Sequence, residues 1–194
     1  MPQRYPVHGF IMKKTEEIFQ NYKVLCSYCD NFFKTVMAKH SSSINCHKGC
    51  SDCCELESVN ALEIYSILRF LKSGPVLTDK NSGDQKCCAL LNENYCMIYP
   101  ARPLICRTHG LLLKSNEFTQ PAIHSCMKNF IDTTVIENDY IFDSDRITSN
   151  LVKLNYAFCL DIGKSELSSE RFPLKCLLSH NLPVSFQNLL DSLP

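Results

Sequence analysis

The sequence predicts a mainly α-helical fold, one compact domain with a small β-hairpin. Three observations predict it. Apolar residues recur at helical spacing over residues 13–38, over 60–73 and again beyond Asp143. One short stretch, CCALLNENYCMIYP, has two β-like runs around a polar turn. The chain has 194 residues, 45% of them hydrophobic, enough for a core of its own.

Residues 1–12 read as a flexible tail, with 13–194 as the domain; Met12, heading MKKTEE, is an alternative start to Met1. Along 13–38, Phe19, Tyr22, Cys26, Cys29, Phe33 and Val36 form one apolar helix face. His40 and three serines end it. Asn60 with Glu63 predicts a capped second helix, burying Leu62, Tyr65, Leu68 and Leu71 and stopping at Gly74-Pro75. TDKNSGDQK follows as a polar loop. Cys88–Leu91 and Tyr95–Tyr99 are expected as the hairpin strands, turning at 92–94. Pairing Leu91 with Tyr95 would make Cys88 and Cys96 diagonal neighbours. Pro100 and Pro103 bracket a tight turn that delivers Cys106. Residues 111–135 are ambiguous. Asp143 or Ser144 caps a third helix carrying Ile147, Leu151, Leu154 and Phe158 and ending at Gly163. From 165 onward a short apolar tail packs on the core.

Charge narrows the function classes. Lys+Arg and Asp+Glu are 20 each, a balance without the basic footprint of a nucleic-acid binder or a membrane-surface protein. No apolar run approaches the roughly 18 residues of a membrane span. The first residues do not read as a signal peptide, so a reducing cytoplasm is the expected compartment. P-loop, GxSxG, HExxH and dinucleotide fingerprints are absent from the sequence. No carboxylate pair stands out as acid and base.

The cysteines carry the chemistry. There are 13, an odd number, and at this length in a reducing compartment they point to metal or catalytic chemistry rather than a disulfide framework. One cluster is Cys46, Cys50, Cys53 and Cys54; the other is Cys88, Cys96 and Cys106, with Cys126 further on. Thiolates hold zinc tetrahedrally at about 2.3 Å, and they also hold iron–sulfur clusters. A loop turns several thiols toward one point, and a hairpin brings distant ones to it. Adjacent Cys53 and Cys54 in an extended segment point opposite ways and so suit two metals, or one metal and the core. Eight cysteines fit two four-thiolate sites or one larger cluster. The spacing C-x3-C-x2-C also matches the radical S-adenosylmethionine signature, but the chain has only 6 glycines and no run of βα units.

CHKGCSDCC followed by CALLNENYCMIYPARPLICR resembles the YkgJ-type cysteine-cluster family, described as zinc- or iron-chelating. The second part matches at Cys88, Leu90, Cys96, Ile98, Tyr99, Arg102, Pro103, Cys106 and Arg107, and the resemblance spans residues 44–127. It implies metal chelation, with zinc and iron both open. A similar cysteine domain is associated with flagellin lysine methylases, which leaves an enzyme, acting by methyl transfer or redox chemistry, as the alternative. Cys87 beside Cys88, and the pair Cys26 and Cys29, depart from the pattern.

The expected ligands are therefore Cys46, Cys50, Cys53, Cys54, Cys88, Cys96, Cys106 and Cys126, holding iron–sulfur or zinc, with iron–sulfur preferred. Four thiolates leave a divalent ion with a net charge of about −2, and nearby cations offset it. Arg102 and Arg107 are expected in that role, and Lys48 is a further candidate. Cys26, Cys29, Cys159 and Cys176 read as core residues, since a free cysteine packs as a small hydrophobe, with a ligand or redox role as the alternative for Cys26 and Cys29. Cys87 is open between ligand and strand residue. His47, His109 and His124 are possible imidazole ligands that the thiolates make unnecessary. Tyr99 reads as hairpin core. The expected partner is a metal ion or cluster, with no nucleic acid and no membrane.

Overall fold

The computed structural model describes residues 8–72, 74–77, 88–116, 122–132, 135–178 and 184–191. Residues 1–7 of the expected tail, the expected polar loop 78–86 and Cys87 lie outside them.

Helix predominates, as the periodicity predicts. Helix α1 runs from His8 to Lys39, five residues further N-terminal than the apolar pattern indicates. Its stripe is buried at Phe19, Tyr22, Cys26, Cys29 and Val36, with Phe33 half-buried. Helix α2 (Ala61–Leu71) starts at the cap that the sequence announces: Asn60 Oδ1 accepts the Glu63 amide at 3.0 Å. Its buried face is wider than expected. Ala61, Leu62, Ile64, Tyr65 and Ile67 are buried, whereas Leu68 and Leu71 are half-buried. Helix α4 (Ser144–Asp161) is capped by Asp143, whose Oδ1 accepts the Arg146 amide at 3.0 Å, and the chain turns out of it at Gly163, φ +70°.

The three helices share an aromatic core. Tyr65 of α2 meets Phe19 of α1 edge-on at 5.4 Å and stacks on Phe158 of α4 at 5.1 Å. Asn155, buried on α4, accepts the Leu62 amide at 3.0 Å and donates to the Ser168 carbonyl at 2.9 Å, pinning α2 and the chain after α4 together. Strands β1 (Ser58–Val59) and β7 (Phe172–Pro173) pair antiparallel, and Phe172 packs edge-on to Phe186 of α5 (Val184–Asp191) at 5.0 Å.

The hairpin exists but is shorter and in another register. Strands β2 (Leu91–Asn92) and β3 (Tyr95–Cys96) pair Leu91 with Cys96 and Asn92 with Tyr95. The turn has two residues, Glu93 and Asn94, at φ +49° and +66°. A turn with both central residues left-handed matches strand twist, and it shifts the pairing by one residue from the expected Leu91–Tyr95. Cys88 consequently sits in a turn, its carbonyl accepting the Leu91 amide at 3.1 Å, and is not a strand residue. Tyr99 opens a short 3-10 turn (Tyr99–Ala101) instead of extending a strand.

The ambiguous region supplies two strands of a three-stranded sheet. Central β4 (Leu112–Ser115) pairs antiparallel with β5 (Ala122–His124) and parallel with β6 (Ile141–Asp143). Between Pro103 and this sheet lies a short helix, α3 (Leu104–Thr108). Among the described residues, no helix is long and apolar enough to cross a membrane.

Candidate metal centre

The loop between α1 and β1 is built from two tight turns. The Cys50 amide bonds the His47 carbonyl at 3.1 Å, through Gly49 at φ +90°, and the Cys54 amide bonds Ser51 at 2.8 Å. These turns set Cys50, Cys53 and Cys54 close together. Ile44 anchors the near end of the loop in the core.

Cys46 is held from a distance. Asn129 is buried, and its Nδ2 donates to the Cys46 sulfur at 3.3 Å and to the Gly110 carbonyl at 2.7 Å, while its Oδ1 accepts the Asn45 amide at 2.8 Å. The Phe130 amide bonds Ser43 at 2.7 Å, and Lys128 pairs with Asp52. This lacing brings Cys126 to the first cluster.

The hairpin docks on the other side of the loop. The Cys88 amide bonds the Cys54 carbonyl at 2.6 Å, and Ser51 Oγ reaches Asn94 Oδ1 at 3.1 Å. Helix α3 then delivers Cys106. Its first amide, Leu104 N–H, donates to the buried Glu63 carboxylate at 2.9 Å, so the cap of α2 also seats α3. Burial raises the Glu63 pKa, against the backbone donors Leu104 and Asn60.

Mutual electrostatics sort the eight thiols into two groups. Burial raises Cys46; the Asn129 donor opposes this, and Cys126, Cys53 and Cys50 add to it. Burial pushes Cys106 up to about 12, reinforced by Cys88 and Cys96 and more weakly by Cys53. Cys96 is raised by burial and by Cys88, and lowered by the Ile98 amide and Arg102. Cys53 and Cys54 join the groups. The Cys53 thiol donates to Cys54, which raises the first and lowers the second, and the charges that oppose ionisation of Cys54 are Cys106, Cys96 and Cys88. Cys46 is thus set against Cys126, Cys53 and Cys50, and Cys54 against Cys106, Cys96 and Cys88, with Cys53 also reaching Cys106.

The donors gather without closing: among the described residues, no three His, Cys, Asp or Glu side chains are arranged to hold an ion. The donor set nonetheless suits a soft metal. Burial raises the Cys46, Cys96 and Cys106 thiols, and a metal cation would supply the positive charge that offsets their thiolates on displacing the protons. The Asn129 N–H on sulfur is the kind of contact that a metal-bound thiolate takes.

The remaining candidates fall elsewhere. Cys26, Cys29 and Cys159 are buried in the core, and burial holds Cys29 at about 12 and Cys159 at about 11. Cys176 is half-buried against the core. Arg102 and Arg107 both bind Asp30 of α1, at 2.8 and 2.5 Å, and Arg107 also donates to the Arg102 and Pro100 carbonyls. Arg102 lies within electrostatic reach of Cys96, whereas Arg107 acts on Cys26 and Cys29. Tyr99 is 60% exposed, with the Arg102 guanidinium 4.1 Å from its ring, so it is not hairpin core. Its strand ends before it, and its ring faces the arginine. Lys48 lies over the Tyr95 ring at 5.5 Å. His47 Nδ1 is 3.0 Å from the Lys48 carbonyl, burial lowers the His109 pKa, and His124 is exposed on β5. Asp30 and Asn129 carry no signal in the sequence: each is a single polar residue whose partners are distant in the chain.

No curated protein and no solved structure matches the chain. A family model matches residues 45–127, that of the CxxCxxCC family, whose description reads "Putative zinc- or iron-chelating domain". The match begins one residue before Cys46 and ends one residue after Cys126, so it takes in both thiol groups. Over residues 45–127 the chain is similar to the CxxCxxCC, or YkgJ-type, family.

Proposed function

We propose that the chain chelates metal at two adjoining four-thiolate sites. Cys46, Cys50, Cys53 and Cys126 form one, and Cys54, Cys88, Cys96 and Cys106 the other. One observation supports this reading: Cys46 is set against Cys126, Cys53 and Cys50, whereas Cys54 is set against Cys106, Cys96 and Cys88. Iron held as iron–sulfur is the metal we favour, with zinc as the competing one; reduced thiols suit the cytoplasm. Arg102, beside Cys96, offsets the negative charge of the second site. Arg107 supports that site by fixing the turn that carries Cys106.

The test is metal content. Iron, zinc and acid-labile sulfide are measured per chain on protein purified without oxygen. Cys53→Ser and Cys54→Ser should each lose about half of the metal, from different sites, because each removes one thiolate from a four-ligand set. The double variant should lose nearly all, and Cys26→Ser none. Iron with sulfide identifies clusters, whereas zinc alone identifies closed tetrahedral sites. Wild-type protein with neither metal above background would overturn the proposal.

A further inference from the structure

A cavity of about 490 Å³ lies behind α3, between α4, the β4 sheet and the start of β1. Close-packed interiors leave few voids larger than a water molecule, and small-molecule sites run to roughly 300–1,000 Å³. The cavity is set apart from the thiols. Leu104, Ile105 and Thr108 line it from one face of α3, and at about 100° per residue Cys106 falls on the opposite face.

The depth of the cavity is apolar. Leu104, Phe142 and Ile147 form its walls and are all buried. Glu63 lies among them, 4% exposed, with its carboxylate held by the Leu104 amide. The mouth is polar and open, with Thr148, His124 and Arg171 exposed there. Arg171 is fixed in place, donating to the Ser58 carbonyl at 2.5 Å and to Ser58 Oγ at 3.4 Å. A ligand with one charged end enters apolar end first, since leaving the charge at the water-facing mouth costs least. Of the charged residues lining the cavity, the arginine stands at the mouth and the carboxylate is buried.

We propose that this cavity binds a small monocarboxylic acid with an apolar body, its carboxylate at Arg171 and its hydrocarbon against Leu104, Phe142 and Ile147. A bound carboxylate takes charge-assisted hydrogen bonds from the guanidinium. Metal chelation does not enter the argument, because the thiols lie across α3.

The experiment is a calorimetric titration of the full chain with octanoate, with octylamine and 1-octanol as probes of equal length. Octanoate should saturate at one site per chain, and each control should bind about tenfold more weakly, the loss of one charge-assisted bond. Arg171→Gln should weaken octanoate by a similar factor. Thr148→Trp, an exposed change at the mouth, should abolish binding without disturbing the core. Metal per chain, measured on the same samples, should be unchanged, so that failure here is distinct from failure of chelation. Absence of saturable binding, octylamine or octanol equal to octanoate, or a Thr148→Trp variant that binds as wild type would each overturn the proposal.

Discussion

Gly110 touches Cys46: a Cβ built on the glycine would stand 2.7 Å from the cysteine sulfur. The same Cβ would lie 3.2 Å from Asn129 Nδ2, and Gly110 sits at φ +95°, where a side chain is strained. The backbone after α3 therefore forms a wall of the first thiol group. Gly110→Ala should cost about 1–3 kcal/mol and displace Cys46. A lowered denaturation midpoint, together with metal lost from the Cys46 group, checks this.

Asp30 joins the turn at Pro100–Pro103 to α1. It accepts from both Arg102 and Arg107, and the Arg107 side chain is only 9% exposed. Asp30→Ala leaves that guanidinium buried without its carboxylate, at a cost of about 3 kcal/mol. The second thiol group, seated through Cys106, should lose metal in consequence. Chemical denaturation and metal analysis of the one variant read both effects.

Much of this was legible in the sequence, and the limits have physical causes. The stripe of α1 and the caps Asn60 and Asp143 are local signals, and they appear where the pattern places them. The expectation that Cys53 and Cys54 point opposite ways in an extended segment fails, because Cys53 lies in the turn closed by the Cys54 amide and its thiol bonds Cys54. The hairpin register was misread because it depends on Glu93 and Asn94 both being left-handed, which their identities do not dictate. Strand β4 pairs in parallel with β6, whose partner residues lie 29 positions on, as Leu112 with Ile141; Leu-Leu-Lys-Ser has no alternation to reveal that. Asn129 escaped because Cys46 and Asn45 lie 83 and 84 residues from it, and Asp30 because its arginines lie 72 and 77 residues away.

Glu63 gives stability a pH dependence. Burial raises its folded-state pKa above the ordinary value of 4.5. The folded chain therefore holds this proton more tightly than the unfolded one, and stability falls as pH rises from about the ordinary value through the raised one. Glu63→Gln keeps an acceptor for Leu104 without the charge. It should remove this part of the slope and gain on wild type as pH rises from 4 to 8. Denaturation midpoints across that range test it; parallel profiles would refute the assignment.

Thiol reactivity should follow burial and the Cys53–Cys54 bond. Thiolates are the reactive form. In metal-free protein, Cys54, lowered by the Cys53 hydrogen bond, should be alkylated before Cys46, Cys53, Cys96 and Cys106 and at lower pH than they are. Cys29 and Cys159, at about 12 and about 11, should resist until the chain unfolds. Timed labelling with mass spectrometry gives the order, and early modification of Cys29 would contradict the buried assignment.

Asn129 joins two stretches of chain 84 residues apart through uncharged hydrogen bonds. Such a ring is entropically costly to close, and here the cost is met by groups that need no ion. The fold can thus bring Cys46 and the Cys126 segment together before any metal arrives. On an unfolded chain, an ion would meet the cysteines nearest in sequence, Cys50, Cys53 and Cys54, and would bind across the division between the groups. The asparagine latch favours the opposite order of events: distant segments meet first, and the cargo is loaded into a chain whose partnerships are already chosen.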